Sequence, residues 1–288
     1  ARVDLVRRLE KKPGRYLERL AEADSHRRAR AGSAAEQLEP DLKSGAGGLR
    51  DVQSLRWAAA ALTGDATLAA LVGPGLLGDG DPERLAAAEQ TLLRLRVALH
   101  LEAGRPGDVL RLEHQQGVAE RCGWRDGADD RDTAAHRALH AHFEAARTIA
   151  HAHDRAWRSL GGTARRWGFP RRRPLVEQVA GLDVVDGSVH VPEQPATAAL
   201  VARVVRALLA GDHVLERATA DRLRELDPSV GLTVPWPDDL RVAWLEMLRS
   251  PRGPGVQAEL DDVGWLVALV PEWAPQRCRP QRNPFHLY

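Results

Sequence analysis

The chain contains very little cysteine. Only two of its 288 residues are cysteine, Cys122 and Cys278, and they lie far apart with no C-x-x-C pair. Such usage excludes a disulfide framework and the common cysteine-based zinc sites, and a reducing cytoplasm fits it best. The sequence therefore predicts a cytoplasmic protein without structural disulfides.

Long apolar runs are also missing. No stretch of 18 residues or more is continuously apolar, and charged residues occur up to Lys12 without the apolar core of a signal peptide. We therefore expect neither a membrane anchor nor secretion.

Neither sign of charge is in excess. The 41 basic and 40 acidic residues leave a net charge of +1, and lysine occurs only at 11, 12 and 43. This balance argues against a general polyanion-binding surface. The stretch from Arg165 to Pro174, with Trp167 and Phe169 among its arginines, is compatible with binding single-stranded nucleic acid or with an exposed linker. The balanced charge favours the linker, and no nucleic-acid partner is predicted.

The first half of the chain has the apolar spacing of amphipathic helices. Apolar residues repeat at three and four residues from Leu49 to Leu62, and Gly64 is placed to end that helix. Residues 82–103 predict a second helix, with Asp81 as its N-cap, and shorter and longer helices follow at about 112–121 and up to about 160. The prediction is a helical bundle.

The second half begins after a change of composition at Gly161-Gly162. Alternating residues around Asp186-Gly187 predict a β-hairpin of two strands. Further helices are expected at about 195–210, 216–225, 238–249 and 255–268. The predicted fold class is therefore mainly α: a helical bundle, a small β-hairpin and a second helical segment.

Several histidines and acids are candidates for a chemical site. His136 and His140 lie one helical turn apart, but no glutamate completes an H-E-x-x-H motif, so no metal site is predicted. His153 falls on the apolar stripe and is expected to be packed and hydrogen-bonded. The segment Arg105 to Ala119 contains Asp108, Glu113, His114 and Gln115, residue types suited to acid–base chemistry, but a capped helix end is the favoured interpretation.

The segment from Glu39 to Asp51 joins a glycine-rich turn to the start of a helix. Its glycines allow positive φ and close approach, and Lys43 and Arg50 flank a turn expected to be rich in free N–H groups. A helix that begins near Leu49 adds partial positive charge. The segment therefore predicts either a phosphate or carboxylate site or a plain connector.

The same segment resembles a known family signature. Glu39-Pro40, Lys43 and the run from Gly47 to Gln53 are similar to the pattern EPN-K-GPGGLRD-Q of the PII uridylyltransferase/uridylyl-removing enzyme family. Ala103-Gly104-Arg105 with the following acid–His–Gln segment, and Trp244 to Gly253, resemble further family segments in the same order. Ala46 and Ser44 depart from the pattern, where the family usually has proline and often glutamate.

The resemblance implies a domain organisation. It makes residues 1–47 the tail of a nucleotidyltransferase domain, 48–162 the helical bundle domain that follows it, 163–194 a linker with the hairpin, and 195–285 a second helical segment. In the family, such a segment leads to a hydrolytic His-Asp domain. The sequence motif with which that domain starts in the family resembles His286-Leu287-Tyr288, the last residues of this chain. No Gly-[Gly/Ser]…Asp-x-Asp arrangement occurs in the chain, so the prediction is a fragment without catalytic residues or metal ligands.

The resemblance also implies a function. The whole enzyme would transfer UMP from UTP, with Mg²⁺, to the PII signalling protein, and would remove it when glutamine is abundant. The residues predicted to contact the nucleotide or a neighbouring domain are Lys43, Gly47, Gly48, Arg50 and Asp51. Three alternatives stay open: adenylylation of PII, a relative of glutamine synthetase adenylyltransferase, and a non-catalytic PII-binding module.

Overall fold

A computed structural model describes residues 13–32, 37–127, 133–162, 175–230 and 232–280. The chain divides into two compact units, one formed by Ala1–Arg171 with Cys278–Tyr288 and the other by Arg172–Arg277. Helices dominate both units, as the sequence predicts. No helix among the described residues combines the length and apolar character needed to cross a bilayer.

The first unit is a bundle of helices. Its α-helices are α1 (Pro13–Ala31), α2 (Leu49–Thr63), α3 (Asp81–Ala103), α4 (Leu112–Arg121) and α5 (Ala134–Gly162). A short 3₁₀ turn, Ala69–Leu71, lies between α2 and α3. The long helix α5 packs against α2, α3 and α4, while α1 packs against α2. The helical bundle predicted from the apolar spacing is therefore confirmed.

Two apolar clusters hold this bundle together. Leu17 of α1, Val52 of α2 and Ile149 of α5 belong to one cluster, and all three are fully buried. The other cluster lies around Leu95 and Val118, between α3, α4 and α5. Burying each of these large side chains contributes about 1.5–3 kcal/mol.

Glycine ends α2 as predicted. Gly64 has a φ of 76° and donates its N–H to the carbonyl of Ala60, 3.1 Å away. The start of α3 differs by one residue from the prediction: the N-cap is Gly80, and Asp81 is the first helical residue. The Asp81 carboxylate turns back instead and accepts the N–H of Gly78 at 2.7 Å.

The second unit contains a four-stranded sheet. The strands are β1 (Val176–Val179), β2 (Leu182–Val185), β3 (Ser188–His190) and β4 (Val214–Leu215), in the order β1-β2-β3-β4. The hairpin at Asp186-Gly187 is confirmed, with φ values of 49° and 79° at its turn. The sheet is larger than the predicted two strands, because β1 adds a second antiparallel hairpin and β4 pairs in parallel with β3.

Helices cover this sheet. They are α6 (Ala198–Leu209), α7 (Arg217–Arg224), α8 (Asp238–Arg249), α9 (Gly253–Asp262) and α10 (Trp265–Leu269), followed by a 3₁₀ helix (Pro271–Gln276). The prediction of a single helix over residues 255–268 is wrong, because two helices, α9 and α10, occupy this range. The chain breaks at Gly264, which has a φ of 80° and precedes α10. The break lets Trp265, which is fully buried, donate its indole N–H to the carbonyl of Leu223 at 2.9 Å.

The predicted domain boundaries stay a prediction. Helix α1, within the range assigned to a nucleotidyltransferase tail, lies in the same compact unit as the bundle. The arginine-rich stretch 165–174 and the last residues 286–288 lie outside the described residues.

Candidate functional site

The glycine-rich turn before α2 folds back on itself. Asp41 begins it, and one oxygen of its carboxylate accepts the N–H groups of Lys43 at 2.9 Å and Ser44 at 2.7 Å. Further along, Leu49 donates to the carbonyl of Leu42 and Arg50 to the carbonyl of Lys43, at 3.1 and 2.9 Å. Most backbone N–H groups of this turn are thus already bonded within the protein.

Asp51 occupies the position where an external anion was expected. Its carboxylate, fully buried in the first turn of α2, accepts the N–H of Gly47 at 2.7 Å. A carboxylate there is favoured by the positive end of the helix. The helix therefore supplies its own anion, and the free N–H groups on which the phosphate-site interpretation rested are largely used.

Gly47 brings the turn against the backbone of α5. It has a φ of +87°, and a Cβ atom at this position would lie 2.1 Å from the carbonyl oxygen of Ala146. At Gly48 an added Cβ would lie 2.7 Å from the carbonyl oxygen of Lys43. The close approach predicted for the glycines is therefore present, and in both cases its partner is protein backbone.

Lys43 is tied to the segment before α4. Its Nζ lies 3.2 Å from one oxygen of Asp108, while Arg96 donates to the other oxygen at 2.6 Å. Partial burial raises the pKa of Asp108, but the hydrogen bonds from Arg96 and Lys43 outweigh this and lower it. Lys43 keeps 32% of its side chain exposed, so it is not sealed from a ligand or a neighbouring domain.

Arg50 lies on the outer side of α2. It donates to the side chain of Gln53 at 2.9 Å, and its guanidinium carbon lies 5.8 Å from the centre of the Trp57 ring. Trp57 is 41% exposed. The predicted cation is thus held at the surface by an amide and an aromatic face.

A buried group of charges lies behind the turn. We call it the α1 ion cluster: Asp24, Arg27 and Arg28 of α1, Asp51 of α2, and His153 and Asp154 of α5. Arg27 contacts both Asp24, at 2.9 Å, and Asp51, at 2.5 Å. Arg28 lies 3.4 Å from Asp51 and also donates to Asp154. These contacts join three helices around the residue that binds Gly47.

His153 lies at the centre of this cluster, with only 2% of its surface exposed. Its Nε2 is 3.2 Å from Asp24 and its Nδ1 is 3.4 Å from Asp154. Burial lowers the pKa of His153, but the hydrogen bonds with Asp154 and Asp24 and the charge of Asp51 outweigh it and raise the pKa. The prediction of a packed, hydrogen-bonded histidine is confirmed.

The carboxylates of the cluster have lowered pKa values. Burial raises the pKa of Asp24, but hydrogen bonds from His153, Ser54 and Arg27 outweigh it. Burial likewise raises the pKa of Asp154, while His153 and Arg28 hold it well below its usual range. The carboxylates are therefore ionised partners of cations and do not fit a magnesium site. Among the described residues, no group of three or more His, Cys, Asp or Glu residues is placed to hold a metal ion.

Two motif segments that are far apart in the sequence meet beside the turn. Leu42 donates to the carbonyl of Asp108 at 2.8 Å, and Glu39 accepts the N–H of Leu112 at 3.0 Å, at the start of α4. Gln115, buried in α4, donates to the carbonyl of Leu38 at 2.8 Å. These contacts agree with the interpretation of the segment around Asp108 and Glu113 as a capped helix end, and Glu39 supplies the cap.

Sequence reasoning missed the contribution of α1. Its apolar stripe runs through Leu17 and Leu20, and Asp24 continues that stripe at helical spacing. A carboxylate at a core-facing position needs buried partners, and Arg27 and Arg28 follow within one turn. An acid on the apolar stripe of α1 was therefore the available signal.

Comparisons with known proteins agree with the motif resemblance. The family model described as GlnD PII-uridylyltransferase matches residues 15–157, which include the turn and the α1 ion cluster. No solved structure matches the chain.

Curated relatives with the name bifunctional uridylyltransferase/uridylyl-removing enzyme match most of this chain. The protein of Streptomyces coelicolor is 33% identical over 94% of this chain and 32% of its own length. Those of Mycobacterium tuberculosis and Xanthomonas euvesicatoria are 34% and 31% identical, over 93% and 91% of this chain and 32% and 30% of their own lengths. The chain thus spans about a third of the length of the curated relatives it matches. Because these identities extend over more than nine-tenths of this chain, and the family model matches residues 15–157, this chain belongs to the PII-uridylyltransferase family.

Proposed function

We propose that this chain is the helical part of a bifunctional enzyme that adds UMP to the PII signalling protein and removes it. UTP and Mg²⁺ serve the transfer in this proposal, glutamine regulates it, and the protein works in the cytoplasm. The names of the relatives support the two activities. The Asp-x-Asp pairs of the chain, Asp79-Gly80-Asp81 and Asp130-Arg131-Asp132, have no Gly-Gly or Gly-Ser pair directly before them and so do not match the family's catalytic arrangement. Other parts of the protein would therefore bring the catalytic groups.

The observation that carries the proposal is the way the turn 39–51 presents two cations on a fixed backbone. Gly47 fixes the turn against α5, and Asp51 fixes it to the α1 ion cluster. Lys43 and Arg50 belong to this fixed turn, and their side chains are partly exposed. A cation held on a rigid backbone binds an anion with little ordering cost.

Arg50 is the better candidate for contact with a nucleotide or a neighbouring domain. Its guanidinium pairs with an amide and an aromatic ring and has no carboxylate partner among its described contacts, whereas Lys43 already lies next to Asp108. A guanidinium that gives up no ion pair is available to bind a phosphate or a partner's carboxylate in bidentate fashion.

The test is transfer of labelled UMP from UTP to PII by the protein from the complete reading frame. Arg50→Ala should slow transfer by about tenfold or more, the scale for losing one charge-assisted hydrogen bond. Arg84→Ala is the matched control, since Arg84 is an exposed arginine on α3 that bonds only Asp81, three residues earlier, among the contacts described. Equal rates for Arg50→Ala and the wild type would remove Arg50 from the proposal.

Two further measurements separate the remaining functions. Replacement of UTP by ATP in the same assay decides between uridylylation and adenylylation of PII. If the complete protein transfers neither nucleotide but this chain retains PII on an affinity column, a non-catalytic binding module replaces the proposed enzyme.

A further inference from the structure

The α1 ion cluster balances only when its histidine is charged. Asp24, Asp51 and Asp154 carry three negative charges, and the two guanidiniums of α1 carry two positive ones. The imidazole of His153 is the sixth member. A neutral imidazole leaves a net charge of −1 in a buried place, whereas an imidazolium brings the sum to zero.

The Nε2 atom of His153 has two competing neighbours. The indole nitrogen of Trp157 lies 2.6 Å away and donates its N–H to Nε2, while an oxygen of Asp24 lies 3.2 Å away. Trp157 is a donor only and the Asp24 carboxylate is an acceptor only. Nε2 must therefore lack a proton to accept the N–H of Trp157, and it must carry a proton to donate to Asp24. It cannot make both hydrogen bonds at once.

We infer that His153 is a proton-linked latch, in which gain of a proton at Nε2 exchanges the Trp157 indole for the Asp24 carboxylate and fastens α1 to α5. In the neutral state the Nε2 lone pair accepts from Trp157, and the remaining ring proton on Nδ1 faces Asp154. In the charged state Nε2–H donates to Asp24. The indole of Trp157, which is only partly buried, then bonds to water.

The charges around the ring support this exchange. Asp24, Arg27 and Arg28 face it from α1, Asp51 from α2 at 3.9 Å, and Asp154 from α5 itself. The carboxylates favour the charged ring, and the Arg28 charge opposes it. Ser54 and Arg27 bond Asp24 in either state, so the carboxylate keeps partners when the latch opens.

Protonation of His153 strengthens the contact between α1 and α5. Asp24 belongs to α1 and His153 to α5, so the charged state adds an ion pair between the two helices. Asp51, which binds Gly47, shares Arg27 with Asp24. Loss of the proton therefore loosens α1 and weakens the support of the turn. This inference depends only on these contacts and is independent of the proposed function.

Nuclear magnetic resonance of the 288-residue chain with labelled histidine and tryptophan rings tests the latch. The Trp157 indole signal and the His153 ring signals should shift together with pH, with one midpoint above that of a free histidine. The variants His153→Gln and Trp157→Phe identify the two sets of signals by their disappearance. A Trp157 indole signal that does not follow the titration of His153 would overturn the latch.

Two substitutions move the midpoint in opposite directions. Trp157→Phe removes the donor that stabilises the neutral ring, so the midpoint of His153 should rise. Asp24→Asn removes a charge that stabilises the charged ring, so it should fall. His140→Gln, a half-buried site on the same helix, should leave it unchanged. If Asp24→Asn does not fold, Trp157→Phe decides alone, and a midpoint that stays or falls in that variant contradicts the inference.

Discussion

The backbone of Gly47 lies directly against the backbone carbonyl of Ala146, so that a Cβ atom on Gly47 would be 2.1 Å from that oxygen. The contact joins the turn before α2 to the middle of α5. No side-chain rearrangement can relieve it, because both partners are main chain. The turn is therefore positioned by a steric requirement at one residue.

Gly47→Ala should destabilise the first unit by about 3 kcal/mol, from the strain of positive φ and from overpacking against Ala146. Chemical unfolding followed by circular dichroism measures the loss. Gly73→Ala is the control, because nothing lies within 4 Å of an added Cβ there. It should change the free energy of unfolding by less than about 0.5 kcal/mol. Equal stability of the two variants would show that the turn does not need this contact.

Asp51→Asn tests the charge at the centre of the α1 ion cluster. The amide oxygen can still accept the N–H of Gly47, but Arg27 and Arg28 lose a buried anionic partner. Breaking a buried ion pair on one side costs about 3 kcal/mol. Glu113→Gln, at a side chain that is 67% exposed, is the matched control and should be nearly neutral. Similar unfolding midpoints for both variants would contradict the structural role given to Asp51.

Local patterns predicted the helices of the first unit well. The repeat from Leu49 to Leu62 and the glycine at 64 placed α2 correctly because both signals act within a few residues. The sheet of the second unit was only half predicted. Strand β4 has two residues and pairs with β3 across the intervening helix α6, so no local alternation reveals it.

The candidate site shows the same limit. The sequence placed Asp51 in the first turn of a helix, but its partners come from α1 and α5. The bond between Arg28 and Asp154 joins residues 126 positions apart. The expectation of free N–H groups failed because the carbonyls that accept them, such as that of Leu42 for Leu49, depend on how the turn folds back.

The stability of the chain should fall on the alkaline side. The pKa of His153 is raised in the folded state, so its contribution is fully present below the unfolded pKa of about 6.5 and is lost as pH rises through the folded value. The pKa values of Asp24 and Asp154 are lowered, so their contribution is present above about pH 4 and is lost as pH falls. The free energy of unfolding should therefore be highest between about pH 4 and 6.5.

Urea unfolding of the wild-type chain at a series of pH values measures this profile. His153→Gln should remove most of the decline above about pH 6.5 and leave the acid limb in place. His140→Gln, which alters a half-buried histidine of α5 outside the α1 ion cluster, should leave both limbs unchanged. A wild-type profile that rises between pH 6.5 and 9 would contradict the raised pKa of His153.

Glu39 joins the two motif segments, and its removal should weaken α4. The carboxylate accepts the N–H of Leu112 in the first turn of α4, where an acceptor satisfies a free donor and a negative charge is favoured. Glu39→Ala should cost about 1 kcal/mol, as for loss of an N-cap side chain. Hydrogen exchange should accelerate at the amide of Leu112 and in the first turn of α4, and should stay unchanged in α2. Glu22→Ala, at an exposed site on α1, should alter neither the stability nor the exchange in α4. Exchange at Leu112 that is equally slow in Glu39→Ala would mean that another group satisfies this amide and that Glu39 does not connect the two segments.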